Sequence, residues 1–272
     1  MPSTTFLFWN VNRKPLSPVV AELADEHRAD IVVLAEAGDD PATLLQDLNA
    51  KETGGFHFPI GLSSYVTIYT RFSRDFLRPV FESDRVSIRR LTLPARSELL
   101  IAAVHLPSKL RWSSASQSFE CGELARQISL EEDRAGHRRT VVLGDFNMNP
   151  FEFGLIAAGG LNAVMSRKIA ARSSRKIQGR EYRFLYNPMW SHLGDARSDT
   201  AGSYFYDSSE HVNYFWNVFD QVLMRPELAE RFDMARLKIV KSVGTRSLVR
   251  HDGRPDRRDS SDHLPLVFDL DF

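Results

Sequence analysis

The sequence predicts an α/β chain that forms one domain of two packed sheets flanked by helices. Strand-like hydrophobic runs and helix-like amphipathic segments are interleaved from end to end. Neither a long linker nor an internal repeat divides them, so residues 1–272 are expected to fold as one unit. Several runs are almost wholly apolar, which is the pattern of strands covered on both faces.

Thr5 to Asn12 reads as a strand, and Leu16 to Arg28 as an amphipathic helix starting near Ser17-Pro18. Asp30 to Leu34 is the first almost wholly apolar run, and a short helix is expected after Pro41. Ser64 to Thr70, Arg85 to Leu93 and Glu98 to Leu106 read as strands. Ser116 to Ala135 has the strongest helical pattern, followed by a strand at Thr140 to Gly144 and a short helix at Phe151 to Ala158. Loops come next, with strands near Ser203–Asp207, Phe219–Met224, Leu237–Val243 and Leu264–Leu270.

Composition removes several function classes. Thirty-five basic and 35 acidic residues give a formal charge of zero, so no global field attracts nucleic acid and any anion binding must be local. The single cysteine, Cys121, excludes an internal disulfide, which fits a reducing compartment. It stands with Leu124, Ala125 and Ile128 at helical spacing, which points to buried packing. The N-terminus enters a strand directly, without a basic leader or a long apolar segment. The expectation is a soluble cytoplasmic protein with no membrane contact and no obligate protein partner.

The richest segment is Thr140-Val141-Val142-Leu143-Gly144-Asp145-Phe146-Asn147-Met148-Asn149-Pro150. In extended backbone, residues i and i+2 point the same way, so Asp145 and Asn147 would face one site while Phe146 returns to the core. A short acid and an amide aimed together suit water activation and contact with an oxyanion or metal. A strand that simply ends in a turn has the same composition. Other apolar strands, however, also end on isolated polar residues: Asn10 and Asn12, Glu36, His105, Asp220 at the start of its strand, and Ser261-Asp262-His263 before the last one. Singly, each has a structural explanation, Glu36 as a cap, His105 as a satisfied core histidine, Asp220 as a partner for a backbone amide. Six such coincidences together supply hard oxygen ligands, a candidate base and two imidazoles, with no thiolate cluster. That set suits Mg²⁺, with Mn²⁺ as substitute, rather than zinc.

The motifs Trp9-Asn10-Val11, Ile31 to Glu36, Ile68 to Phe72, Val104-His105-Leu106, Gly144-Asp145-Phe146-Asn147, Phe219 to Leu223 and Ser261-Asp262-His263-Leu264-Pro265-Leu266 occur in one order. In this the sequence resembles the endonuclease/exonuclease/phosphatase family. The resemblance implies a four-layered α/β sandwich and Mg²⁺-dependent cleavage of a phosphate ester. Carried over, Glu36 resembles the principal metal carboxylate, Asn10 the asparagine beside the metal, and Asp262 the second carboxylate of the metal site. Asp145 is similar to the residue that orients or deprotonates water, and Asn147 to its neighbour on a phosphate oxygen. His263 resembles the catalytic imidazole oriented by Asp220, and His105 a group that contacts the phosphate or assists the leaving group. Asp262 and His263 are adjacent, so one must sit on a turn if both are to serve the site. Asn12 departs from DNA-repair members that carry an acid there, which argues against an apurinic endonuclease.

For substrate, the segment 166–183 carries Arg167, Lys168, Arg172, Arg175, Lys176, Arg180 and Arg183 against one acid. It could track a nucleic-acid backbone, with Arg175, Lys176 and Arg180 as the contact residues, or be a solvated mobile loop. Arg246, Arg250, Arg254, Arg257 and Arg258 precede the last motif but are diluted by Asp252, Asp256 and Asp259. The aromatics Tyr204, Phe205, Tyr206, Tyr214, Phe215, Trp216 and Phe219 fit a half-buried strand core, with a base-stacking platform as the alternative. The leading expectation is a Mg²⁺-dependent nuclease acting on DNA or RNA. A phosphoesterase for a small or lipid phosphate and a non-catalytic nucleic-acid-binding module are the alternatives.

Overall fold

The computed structural model describes residues 3–195 and 200–272; Met1 and Pro2, the start of the expected N-terminal lead-in, lie outside the described residues. The strands in chain order are β1 (Thr4–Asn10), β2 (Ile31–Ala35), β3 (Val66–Thr70), β4 (Leu77–Glu82), β5 (Val86–Leu91), β6 (Leu99–His105), β7 (Thr140–Asp145), β8 (Ala163–Val164), β9 (Ser174–Ile177) and β10 (Arg180–Arg183). They continue with β11 (Leu185–Tyr186), β12 (Tyr204–Phe205), β13 (Trp216–Asn217), β14 (Asp220–Met224), β15 (Lys238–Ile239), β16 (Ser242–Val243), β17 (Arg246–Ser247) and β18 (Leu266–Leu270). The helices used below are α1 (Ser17–Glu26), α2 (Pro41–Asn49), α3 (Ser114–Ala135) and α4 (Phe153–Ile156).

A five-stranded sheet, β15-β18-β1-β2-β3, packs against a seven-stranded one, β4-β5-β6-β7-β14-β11-β8. Strand alternation makes the layers. In β7, Val141 and Leu143 enter the core shared with Phe6 and Phe8 of the first sheet. Val142 faces the other way, into a second core with Cys121, Leu124 and Ile128 of α3. The crossovers α1 and α3 each join parallel neighbours, β1–β2 and β6–β7, and so cover the outer faces. The result is the expected four-layered α/β sandwich. Cys121 is fully buried, and burial pushes its thiol up to about 12, as the packing reading requires.

Element boundaries shift by a few residues, and three expectations change. Leu77–Glu82 is a strand the sequence reading left out; its polar, part-exposed pattern is that of a sheet edge. The run Leu237–Val243 breaks into the short β15 and β16, because only β15 reaches β18. The basic segment is not a mobile loop but a helical turn followed by the β9–β10 hairpin.

One geometric fact places the site. β1 and β2 are parallel, β18 runs against β1, β6 and β7 are parallel, and β14 runs against β7. The C-terminal ends of β1, β2, β6 and β7 therefore lie at the same edge as the N-terminal ends of β14 and β18. Every strand-end polar residue singled out in the sequence falls on that edge.

Candidate active site

The site is built around the carboxylate of Asp145, the last residue of β7 and 1% exposed. Its Oδ2 accepts from Asn10 Nδ2 at 2.9 Å and Asn147 Nδ2 at 3.2 Å, while its Oδ1 accepts from the Asn147 backbone N–H at 2.8 Å. Two imidazoles face the same Oδ2: His105 Nε2 at 3.7 Å and His263 Nε2 at 3.9 Å. Both separations exceed hydrogen-bond length, so the two ring edges and the carboxylate frame a gap instead of closing on each other.

His263 is held from behind. Its Nδ1 lies 2.8 and 3.1 Å from the Asp220 carboxylate oxygens, and Asp220 is fully buried opposite Asp145 in the β14–β7 register. Burial alone would lower the imidazole pKa; the charges of Asp220 and Asp145 and the Asp220 hydrogen bond outweigh it and raise it to about 10. The ring is therefore an imidazolium at neutral pH, with Nε2–H pointing into the gap. The preceding loop is pinned to β1: Trp9 Nε1 donates to the His263 carbonyl at 2.9 Å, and Ser261 Oγ to the Asn10 carbonyl at 2.6 Å. His263 makes an isolated bridge to Tyr204 ahead of β18 while Asp262 before it is at a bend, so the adjacent pair divides between an extended position and a bend.

The linkage sign follows from that raised value. The ion pair adds its full stability below the unfolded histidine pKa of about 6.5 and loses it as pH rises through about 10. With divalent ions chelated, denaturation midpoints of the wild type should fall more steeply between pH 7 and 10 than those of Asp220→Asn. Parallel slopes would mean that the pair is not formed.

His105, the last residue of β6, is oriented by groups that no motif flagged. Arg85 Nη1 lies 3.1 Å from His105 Nδ1, and arginine can only donate, so the imidazole proton is on Nε2. Tyr65 stacks on the ring with centroids 5.4 Å apart, and the Arg85 guanidinium also packs against Tyr65, 4.2 Å from its ring centroid. Nε2–H points at Glu36 Oε1, 3.1 Å away. This hydrogen bond, helped by Arg13 3.3 Å from Oε2, holds the Glu36 carboxyl below its ordinary value despite burial.

Backbone conformation marks the same residues. Glu36 and Asn147 both have left-handed φ, 48° and 51°, unusual outside glycine and frequent where a side chain must be aimed. The expectation that Asp145 and Asn147 share a face holds, but through this left turn and not through extended backbone. Phe146 is fully buried, as expected. Asn147 differs from its expected role. Its Nδ2 donates to the Leu106 carbonyl at 2.9 Å and to Asp145, so both amide hydrogens are taken up by protein and it fixes Asp145 in place. Gln117, also outside any motif, donates to the Pro107 and Asn147 carbonyls at 2.7 and 3.2 Å and ties the His105 loop to the Asp145 loop.

Asp145, Asp220 and His263 offer ligand atoms within 4.8 Å of one another. His263 Nδ1 is already engaged by Asp220, which leaves only Nε2 of that ring open to a cation. Glu36 fits better: it is a hard oxygen donor with 23% of its side chain exposed, sharing the His105 Nε2 contact with Asp145. Asn10 Oδ1 accepts the Asn12 N–H at 3.0 Å beside it, and Asn12 itself is exposed. Asp262 is half-buried at the rim, where its charge adds to the raised His263 pKa.

The substrate expectations fare differently. The hairpin bearing Arg175, Lys176 and Arg180 leads into β11, which pairs with Met224, the end of β14 remote from Asp220. Arg175 is bonded to Asn162 Oδ1 at 2.8 Å, and Arg183 lies 4.0 Å from Asp133 near the end of α3. Met224 pairs with Val141, four strand positions or about 13 Å from Asp145. The structure does not bring these three cations to the catalytic edge. The aromatic run is not strand core either: none of its seven members is buried, since β12 and β13 form only a two-residue ribbon with no covering layer. Tyr204, Tyr206, Tyr214 and Phe219 instead line a groove of about 500 Å³ that reaches Asn147.

Residues 7–263 match the sequence pattern of the Endonuclease/Exonuclease/phosphatase family. The chain belongs to that family. No curated protein matches it. Among solved structures it is similar to D. rerio TDP2 complexed with single-strand DNA product, at 17% identity and TM-score 0.54, covering 100% of each chain. An endonuclease/exonuclease/phosphatase family protein from Bacteroides thetaiotaomicron gives 14% identity and TM-score 0.60, over 99% of this chain and 95% of that one. The 3′ phosphatase NExo from Neisseria, bound to product DNA hairpin, gives 18% identity and TM-score 0.53, over 99% and 100%. Membership makes the protein an enzyme that hydrolyses phosphate ester bonds. Among the described residues no helix is long and apolar enough to cross a membrane.

Proposed function

We propose that this family member is a Mg²⁺-dependent phosphodiesterase that cleaves nucleic acid, with Mn²⁺ able to substitute, and that it works in the cytoplasm. The observation that carries the reading is the gap between His105 Nε2, His263 Nε2 and Asp145 Oδ2, framed at 3.7 and 3.9 Å. It presents the His263 Nε2–H donor and the Asp145 acceptor, with His105 Nε2–H, held on Glu36, at its edge; the set complements a phosphoryl group and an attacking water. That the D. rerio and Neisseria structures hold DNA products supports nucleic acid as the substrate class.

Asp145, fixed by Asn10 and Asn147, accepts the proton of the attacking water. Asn10 has one amide hydrogen beyond its bond to Asp145, free for a phosphate oxygen. His263 Nε2–H donates to an equatorial oxygen, where charge gathers in the transition state, and His105 Nε2–H joins it when substrate displaces its contact with Glu36. The His263 proton can then pass to the departing alkoxide while Asp220 stabilises the imidazolium that binds it. A divalent ion held by Glu36, Asn10 and Asp262 would add Lewis acidity at a phosphoryl oxygen.

Purified protein should release product from plasmid DNA or RNA with Mg²⁺ and stop on EDTA addition. Turnover of a chromogenic phosphodiester alone would move the substrate class to small phosphate esters. Tight nucleic-acid retention without turnover would make the chain a binding module and sink the enzymatic reading of this site.

A further inference from the structure

We propose that Arg250, Arg254 and Arg257 form a second phosphate subsite next to the reacting centre, so that preferred substrates carry another phosphate beside the scissile one. The inference rests on the phosphodiesterase reading of the Asp145 site and deepens it.

The three guanidinium groups line a recess of about 160 Å³ whose wall includes Asp262, the residue before His263. Its size suits a single anionic group: it is about five waters' worth of space. Tyr206 lines both this recess and the aromatic groove at Asn147, so the two depressions flank the catalytic gap.

Two of the local acids also shape the turns that carry these cations. Asp256 Oδ1 accepts the backbone N–H groups of Arg258 and Asp259 at 3.1 and 3.3 Å, and Asp252 Oδ1 that of Arg254 at 3.1 Å. Both acids therefore shape the turns that aim the arginines. Asp252 Oδ2 stands 3.5 Å from Arg250 and 3.7 Å from Arg254, near enough to hold them but too far for good hydrogen bonds. Arg257 has no ion-pair partner among the described residues, and Arg254 stacks over Phe205 at 4.0 Å, which fixes its plane. Among the described residues none of the three guanidinium groups donates a hydrogen bond, although each has five N–H donors, and Asp252 is the only acid in ion-pair range of two of them. Other arginines of the chain, such as Arg225 and Arg89, are bonded to carboxylates. Adjacent, planar guanidinium groups whose N–H donors are not taken up by protein match the bidentate geometry of phosphate. Asp207 and Asp262 in the same wall would repel an anion set deeper, which confines it to the arginine side.

The test compares dTpdT, pdTpdT and dTpdTp by calorimetry, with EDTA present so that nothing is cleaved. One of the two end-phosphorylated dinucleotides should bind at least about tenfold more tightly than dTpdT. That advantage should shrink to within about twofold in the Arg250→Gln/Arg257→Gln double variant, whose side chains are exposed and whose thermal midpoint serves as the folding control. Equal binding of all three ligands, or an advantage that survives in the double variant, overturns the subsite. Cleavage of dTpdT with Mg²⁺ is scored separately. An enzyme that cleaves it without any phosphate preference loses only the subsite; a protein that prefers the added phosphate but cleaves nothing loses only the phosphodiesterase reading.

Discussion

His263→Ala should lower kcat on any phosphodiester the enzyme accepts by about 10³-fold or more, within the usual range for loss of a positioned general acid. The expectation rests on Nε2–H facing Asp145 Oδ2 across 3.9 Å and on the carboxylate of Asp220 that keeps the ring charged. The same geometry says that alanine will not be a silent change in stability. Asp220 is fully buried and loses its partner, a defect of about 3 kcal/mol or more. The single variant should therefore melt lower than wild type. Pairing it with Asp220→Asn, which removes the stranded charge, should restore part of the stability but none of the rate. Recovery of stability without recovery of kcat separates chemistry from folding. A His263→Ala protein that turned over at near wild-type rate would remove this residue from the mechanism.

Gly144→Ala should destabilise the protein by about 3 kcal/mol or more, the range for a strained backbone position combined with an unrelieved clash. Gly144 has φ of 151°, and a Cβ built there would stand 1.9 Å from the Val104 carbonyl oxygen. Both neighbours are backbone of paired central strands, Val104↔Gly144 on β6 and β7, so neither can yield cheaply. The next rung of that ladder is His105↔Asp145, which joins one imidazole of the site to the central carboxylate. Whatever fraction of the variant folds should thus also lose activity, because forcing the strands apart widens the catalytic gap. Urea denaturation and phosphodiester turnover of the soluble fraction measure the two effects. A loss of stability below about 1 kcal/mol would show that the ladder accommodates a methyl group and that the glycine is not required.

These two residues illustrate what could be read before any fold was known. Asp145, Asn147 and Gly144 stand in one short segment whose alternation and turn residues speak directly to local backbone. Asn10, Glu36, His105, Asp220 and His263 were legible by repetition, each a polar end to an apolar strand. A strand whose interior is buried must surface at its ends, so a polar residue there is placed by chain geometry alone.

Tyr65, Arg85 and Gln117 were not legible. Each acts by reaching across from a neighbouring segment to orient a ring or a loop, and nothing in its own surroundings sets it apart. Charge density misled for the same reason. The most basic stretch, 166–183, folds into a hairpin at the remote end of the sheet, whereas the arginines diluted by acids line the rim of the site.

The sequence by itself determined the layered α/β class and the polar strand ends that make up the candidate site, because periodicity and strand ends are local properties of the chain. Which of those residues face one another, how each imidazole is oriented, and which cations lie beside the candidate site were decided only by tertiary structure. Those outcomes depend on distances of 3 to 4 Å between residues as much as 254 positions apart, and on the burial that gives such contacts their strength.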